Sequence, residues 1–365
     1  MRIALALFSL GLFAVASSQA AAVTRVEALS RGINLSHWFA QASNGYSDAH
    51  LTTFITPRDL VRIRRTGFTH VRIGVAPEVV RDPARRSRFV EAVQLSLKSG
   101  LAVVADFHPV GDEKTEFTAA DGAEKLERMW TELATALAPL DSDRLYLEVM
   151  NEPYPLQGEA WLAMQRRAVA AIRRIAAHHT IIVNPGGWSG PEDLSRMTPL
   201  PDENVVYTVH WYAPLLFTHQ GADWTWAVAK NIGGVPWPAA RSAADQIAGR
   251  STRGEDAYRA LHNEIAAGNF EKTFLQSEIE RIVDWRRRHH DVPVYVGEFG
   301  VYWKSAPPSS AHEWITTSRI AFQRAGLGWA YWDSSSSFGL MLSTTEGRSF
   351  RPKTLMALDL IPGER

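Results

Sequence analysis

Eight short apolar runs punctuate this chain, each followed by a stretch with helical start and stop residues, and no other feature restricts its fold so strongly. The runs are "GINLS" (32–36), "HVRIG" (70–74), "LAVVADF" (101–107), "LYLEVM" (145–150), "TIIVN" (180–184), "VVYTVH" (205–210), "VPVYVGE" (292–298) and "GLGWAYW" (326–332). Several are almost continuously apolar, as strands covered on both faces of a parallel sheet must be. Between them the helices have readable ends. Thr56-Pro57 supplies an N-cap and a first-turn proline, and Gly67 stops the helix after "LVRIRRT". Further helices are predicted over 85–98, 122–137, 159–178, 276–288 and 311–324. This alternation predicts an α/β chain closed into a single-domain (β/α)₈ TIM barrel rather than an open doubly wound sheet. No glycine-rich phosphate fingerprint follows the first run, which argues against a dinucleotide fold. One interval breaks the rhythm: about eighty residues separate "VHWY" from "VPVYVGE", and so long a connection predicts an enlarged loop after strand six, followed by its helix.

In such a barrel, polar residues at the carboxyl ends of the strands converge on one mouth. The stretch "YLEVMNEPYP" shows one such end, because Pro153 lacks the N–H that a strand ladder needs and leaves Asn151 and Glu152 at the edge. Taking every strand end in turn gives Arg72, His108, Asn151 with Glu152, His210 with Tyr212, Glu298 and Trp332. Glu152 and Glu298 follow strands four and seven and can face one another across a bound bond. Two facing carboxyl groups are what glycoside hydrolysis requires, one protonated for the leaving oxygen and one ionised as nucleophile or base. Arg72 and Tyr212 are placed to hold Glu298 ionised, and a more apolar wall is expected to keep Glu152 protonated.

The fragments "NEP" and "GEFG", with Arg72, His108, His210-Trp211-Tyr212 and Trp332 in that order, resemble glycoside hydrolase family 5. This is the cellulase family, within the clan of retaining (β/α)₈ glycosidases. The resemblance spans 31–361. It implies that Glu152 is the acid/base, Glu298 the nucleophile, Asn151 a ligand of the sugar 2-hydroxyl in subsite −1, and Trp332 that subsite's stacking floor. Arg72 and Tyr212 would position Glu298, and His108 and His210 would line the site. Neither a metal nor an organic cofactor is implied. The expected reaction is endo-β-1,4-glucan hydrolysis by double displacement. β-Mannanase, β-1,3-glucanase, xyloglucanase and glycosylceramidase activities share the same residue set. A noncatalytic carbohydrate-binding barrel is the reading from a different class, and it could dispense with either glutamate. A metal-dependent hydrolase is a further alternative, although no H-E-x-x-H spacing occurs.

Several of the thirteen tryptophans sit in polar, Gly/Pro-rich stretches, and indole faces in loops suit flat amphipathic ligands such as sugars. Trp38, Trp224, Trp226 and Trp303, after strands one, six and seven, are candidates for stacking beyond the central subsite, with His37 and Asn34 on the first loop. The expected partner is a polysaccharide or oligosaccharide. Basic and acidic residues balance at 39 each, giving no electrostatic case for nucleic acid or an anionic membrane. The opening "MRIALALFSLGLFAVASSQA" reads as a signal peptide over 1–22, with the catalytic domain over 23–365. Its apolar core is too short for a comfortable membrane span. A secreted or periplasmic monomer is expected, and with no cysteine in the chain its stability must come from a large core without disulfides.

Overall fold

The computed structural model describes residues 27–344 and 347–361, so the leader read over 1–22 lies outside the described residues. Eight parallel strands close into a barrel in sequence order. They are β1 (Arg31–Asn34), β2 (His70–Val75), β3 (Ala102–Phe107), β4 (Leu145–Glu148), β5 (Thr180–Val183), β6 (Val205–Trp211), β7 (Val294–Phe299) and β8 (Gly328–Tyr331). Closure comes from β1 pairing with both β2 and β8. The outer ring consists of α1 (Pro57–Thr66), α2 (Pro83–Lys98), α3 (Gly122–Leu137), α4 (Gly158–Ile175), α5 (Pro191–Arg196), α6 (Lys272–Arg288), α7 (Pro308–Arg324) and α8 (Pro352–Ala357).

The helix ends follow local chemistry. At α1, Thr56 Oγ1 accepts from the Asp59 N–H at 3.3 Å while Asp59 accepts from the Thr56 N–H at 2.9 Å. This reciprocal cap satisfies two otherwise orphaned donors. Gly67 closes the helix at φ 104°, a left-handed position that favours glycine.

Period-two alternation along the strands divides the core into two layers. Ala102, Val104, Tyr146, Ile182, Val206, Tyr295 and Ala330 fill the barrel interior. Val103, Ala105, Leu145, Leu147, Ile181 and Val183 point outward against the helices, where they join the larger apolar cluster. The interior is apolar only part of the way up. In register with Val104 lies Arg72, and one layer nearer the carboxyl ends Asp106 pairs with Glu148.

The segment between β6 and β7 is more ordered than an enlarged loop. It carries helices at Leu215–Thr218, Ala244–Ser251 and Glu255–Ala267 before α6, and it buries Val235, Trp237 and Phe270. Gln220 anchors it, accepting from the Val235 N–H at 2.8 Å and donating to the Val235 carbonyl at 3.3 Å. A short antiparallel hairpin, β9 (Met341–Thr344) with β10 (Gly347–Phe350), follows β8 and was not legible as strands in the sequence.

Candidate active site

Arg72 is the buried centre of the site. Its Nε and Nη2 donate to both oxygens of Glu148 at 2.8 Å, and Nη1 donates to Glu298 Oε1 at 2.7 Å and to Asn34 Oδ1 at 3.0 Å. Nη2 also reaches Asn151 Oδ1 and Asp106 Oδ2, each at 3.0 Å. A planar guanidinium offers donors in fixed directions, so one side chain can hold several acceptors from different strands. Burial pushes Asp106 up to about 6 against the opposing charge of Arg72, and it pushes Glu148 up in the same way. Asp106 lies 2.5 Å from His108 Nδ1. Burial, reinforced by the charge of Arg72, lowers the His108 imidazole to about 3 and keeps it neutral. With Asp106 ionised at neutral pH, His108 Nδ1–H is the donor, and Nε2 is left to accept a hydrogen bond in the cleft.

A register shift brings the two glutamates together. On β6 and β7, Val209 pairs with Val296, but His210 pairs with Glu298, leaving Gly297 as the extra residue. Such a bulge re-aims the next side chain. Glycine is required there by close approach, since a Cβ on Gly297 would lie 2.5 Å from Thr208 Oγ1. Glu298 is then fixed at both oxygens: Arg72 holds Oε1, and the Tyr212 hydroxyl donates to Oε2 at 2.9 Å. Burial and the charge of Glu298 raise the Tyr212 hydroxyl well above its ordinary value, so it stays a donor.

Glu152 comes from a pinned turn. The Asn151 N–H donates to the Phe107 carbonyl at 2.8 Å, the Tyr154 N–H to the Gly187 carbonyl at 3.0 Å, and Lys114 Nζ to the Glu152 carbonyl at 2.7 Å. Between these anchors Glu152 adopts φ 35°, a costly conformation for a residue with a side chain. Its Oε1 lies 2.8 Å from His210 Nδ1, and His210 Nδ1 is also 3.6 Å from Glu298 Oε2. The expected apolar wall beside Glu152 is therefore corrected. Burial raises this carboxyl, but the hydrogen bond and charge of His210, with the charge of Lys114, outweigh it and hold Glu152 below its usual range. Burial lowers His210, and the charges of Glu298 and Glu152 more than reverse that, raising it. Both shifts favour the imidazole over the carboxyl as the place of a shared proton. Donor atoms of Glu152, His210 and Glu298 all lie within 4.8 Å of one another.

The same three residues would be the donor set for a metal ion. Two of those donors already bond each other, however, and the Arg72 cation sits on Glu298 at 2.7 Å, where it would oppose a second cation. The donor set fits a proton-handling pair better than a metal.

The cleft above the pair has a volume of about 590 Å³. His108, Asn151, Glu152, Tyr212, Glu298 and Trp332 all line it. Trp332 stacks on His108, with ring centroids 5.7 Å apart and planes 10° apart. Asn151 lines the cleft with its Oδ1 held by Arg72, which leaves its amide N–H₂ as the unused donor. Of the outer candidates, Trp224 lines the cleft with its ring edge-on to Tyr302 at 4.9 Å. The others do not. Trp38 is buried and donates to the Leu51 carbonyl at 2.8 Å, so it is a core residue. Trp303 donates to the Phe338 carbonyl at 2.9 Å under the Arg351 guanidinium, and Trp226 is exposed outside the cleft. His37 bonds the Gln41 carbonyl at 2.8 Å, and Asn34 lies beneath the site, donating to the Gly297 carbonyl at 3.0 Å.

Sequence reasoning missed the platform on the Glu152 side. Tyr154 and Trp188 stack at 4.6 Å with planes 14° apart, both about half exposed, and Lys114 lies 5.4 Å over the Trp188 ring. An indole in the glycine-rich "NPGGWSG" after β5 was the available signal. Asp106 and Glu148 were missed as well, although a carboxylate inside an apolar strand marks a buried partner.

A family model described as Cellulase (glycosyl hydrolase family 5) matches residues 34–337. Endoglucanase 3 of Fibrobacter succinogenes is 22% identical over 341 residues, covering 86% of this chain and 50% of that protein. Endoglucanase C of Acetivibrio thermocellus is 23% identical over 317 residues, covering 83% of this chain and 90% of that one. The chain thus spans half the length of the first of these and nearly all of the second. Among solved structures, Thermotoga maritima Cel5A in complex with cellobiose is similar at 25% identity and TM-score 0.73, covering 92% of this chain and 99% of the other. The same Thermotoga protein has been solved with mannotriose, where the TM-score is 0.71.

Proposed function

This chain belongs to glycosyl hydrolase family 5, the cellulase family, and on that premise we propose that it is a retaining endo-β-1,4-glucanase with Glu298 as nucleophile and Glu152 as acid/base. The observation that carries this reading is that an oxygen of Glu152 and an oxygen of Glu298 lie within 4.8 Å of each other, each carboxylate with a different set of partners. A separation of about 5–5.5 Å belongs to retaining enzymes, whereas inverting ones need about 6.5–9.5 Å to admit a water.

In the first step Glu298, aligned by Arg72 and Tyr212, attacks the anomeric carbon as the glycosidic bond breaks. The leaving oxygen takes a proton from Glu152, which draws it from His210 across the 2.8 Å contact. Once Glu298 is esterified its charge is gone, and with it the largest electrostatic influence keeping His210 protonated. The imidazole then stays neutral and Glu152 is free as a base. Water attacks the anomeric carbon, its proton passes to Glu152 and back to His210, and the ester bond to Glu298 breaks. Atoms and charge return to the starting state.

The relatives named endoglucanase and the neighbour solved with cellobiose support a 1,4-linked glucan as substrate. A β-mannan is the second reading, supported by the neighbour's complex with mannotriose. The apolar leader supports export, which N-terminal sequencing of the mature protein checks. The deciding assay is reducing-sugar release from carboxymethylcellulose, mixed-linkage glucan, laminarin, glucomannan and xyloglucan, comparing the mature protein with Glu298→Gln. Release from 1,4-linked glucans that vanishes in the variant supports both reaction and substrate. Release that survives the substitution would remove Glu298 from the mechanism, and preference for glucomannan would favour the second reading.

A further inference from the structure

A second recess, of about 400 Å³, lies outside the cleft between the β6–β7 insertion and the loop after β7. Three chain segments frame it and backbone hydrogen bonds stitch them together. The Gly233 N–H donates to the Ser251 carbonyl and the Arg253 N–H to the Asn231 carbonyl, both at 2.9 Å, and the Gly234 N–H donates to the Ser305 carbonyl at 3.0 Å. Gly221, at φ 84°, closes one side so tightly that a Cβ there would lie 2.0 Å from Ser305 Oγ. The frame is therefore built, not a gap between mobile loops.

Its charge is one-sided. Lys230, Arg250, Arg253 and Lys304 line it, no carboxylate does, and among the described residues none of the four forms an ion pair. Elsewhere cations of this chain find acids, as in Arg173–Asp202 at 2.7 Å and Lys272–Glu313 at 2.7 Å. Four like charges around one concavity focus a positive potential that an anion relieves. Guanidinium and ammonium groups recognise carboxylates and phosphates through charge-assisted hydrogen bonds. Asn231 and Ser305 also line the recess, and their side chains make no hydrogen bond among the described residues. These are neutral polar groups of the kind that orient a hydroxylated ligand.

We propose that this recess binds an acidic sugar, its carboxylate or phosphate held by Arg253, Lys304, Lys230 and Arg250. Recess and cleft are linked along the chain: Trp224, which lines the cleft, packs on Tyr302, and two residues on, Lys304 and Ser305 line the recess. Binding of an acidic sugar here does not depend on the reaction assigned to the cleft.

The test is calorimetric titration of the intact protein with glucuronate, glucose 6-phosphate and glucose, repeated on the double variant Arg253→Gln with Lys304→Gln. The expected result is binding of at least one of the two acids and not of glucose, weakened by added salt, and about tenfold or more weaker in the double variant. Which acid binds identifies the anionic group. Hydrolysis of neutral glucan by the double variant should equal that of the parent, which shows that the fold is intact. Failure of both acids to bind more tightly than glucose, or equal affinity in parent and variant, would overturn the proposal whatever the cleft is found to cleave.

Discussion

Nδ1 of His210 lies 2.8 Å from Oε1 of Glu152, so the carboxyl group proposed to protonate the leaving oxygen shares its proton with an imidazole. The raised His210 and depressed Glu152 are two descriptions of that one proton. The alkaline limb of kcat/KM should therefore report loss of the proton from the pair and fall above the ordinary histidine value. In His210→Asn the proton must sit on Glu152 alone, and the alkaline limb should move to lower pH. A pH–rate profile in which the limb is unmoved would separate His210 from the proton transfer.

The two glutamates should respond differently to leaving-group chemistry. Glu298→Gln is expected to lower turnover by roughly 10⁴–10⁶-fold on every substrate, because an amide cannot form the covalent intermediate. Glu152→Gln is expected to cost about 10²–10⁴-fold on glucan. It should cost far less on an aryl glycoside whose phenolate leaves without a proton. Steady-state rates on both substrates check this, and equal losses in the two variants would refute the assignment of roles.

Removing the central cation should destabilise the barrel. Arg72→Met leaves Asp106, Glu148 and Glu298 buried beside one another without the guanidinium that pairs with all three. The expected cost is about 3–5 kcal/mol, read from denaturant unfolding. A loss under about 1 kcal/mol would show that the carboxylates discharge by taking up protons instead.

Stability should also fall in acid through buried neutral histidines. Burial holds His70 and His108 down at about 3 and His219 at about 4, while the unfolded chain binds these protons near 6.5. Below that value the unfolded state carries more protons, so stability is complete above about pH 6.5 and declines as pH falls toward 3. Asp106 acts in the opposite sense, its raised value removing stability as pH rises from about 4 to 6. Unfolding free energies at intermediate pH should show a net decline toward acid, and His70→Gln should make that decline shallower.

The aromatic platform should act on binding. Trp188→Ala removes the outer ring of the Tyr154–Trp188 stack, and KM for long oligosaccharides should rise about tenfold with kcat little changed. Trp38→Phe should leave KM alone and lower stability, because Trp38 is buried among core residues. Reversal of these two patterns would show that the ligand runs along the β1 loop instead.

Much of this molecule was legible in one dimension. Strand and helix periodicity, with stops such as Pro153 and Gly67, identified all eight barrel strands to within a few residues. Once the strands are closed in order, the residues at their carboxyl ends have nowhere to go but one mouth. That is why Arg72, His108, Glu152, His210, Tyr212, Glu298 and Trp332 could be named together. Local chemistry determines local structure, and the barrel's symmetry carries it into three dimensions.

What the sequence did not reveal depends on contacts between distant segments. Gly297 is an ordinary strand glycine until β6 packs Thr208 against it and the register shifts. Trp38 and Trp224 are both loop tryptophans, and only the packing around them makes one a core residue and the other part of the cleft wall. The sequence by itself determined the barrel and the meeting of Glu152 and Glu298 at one mouth. The tertiary structure decided where their protons reside, because a pKa is set by the charges and solvent within a few ångströms, and here those come from residues such as Lys114 and His210 that lie far apart in the chain.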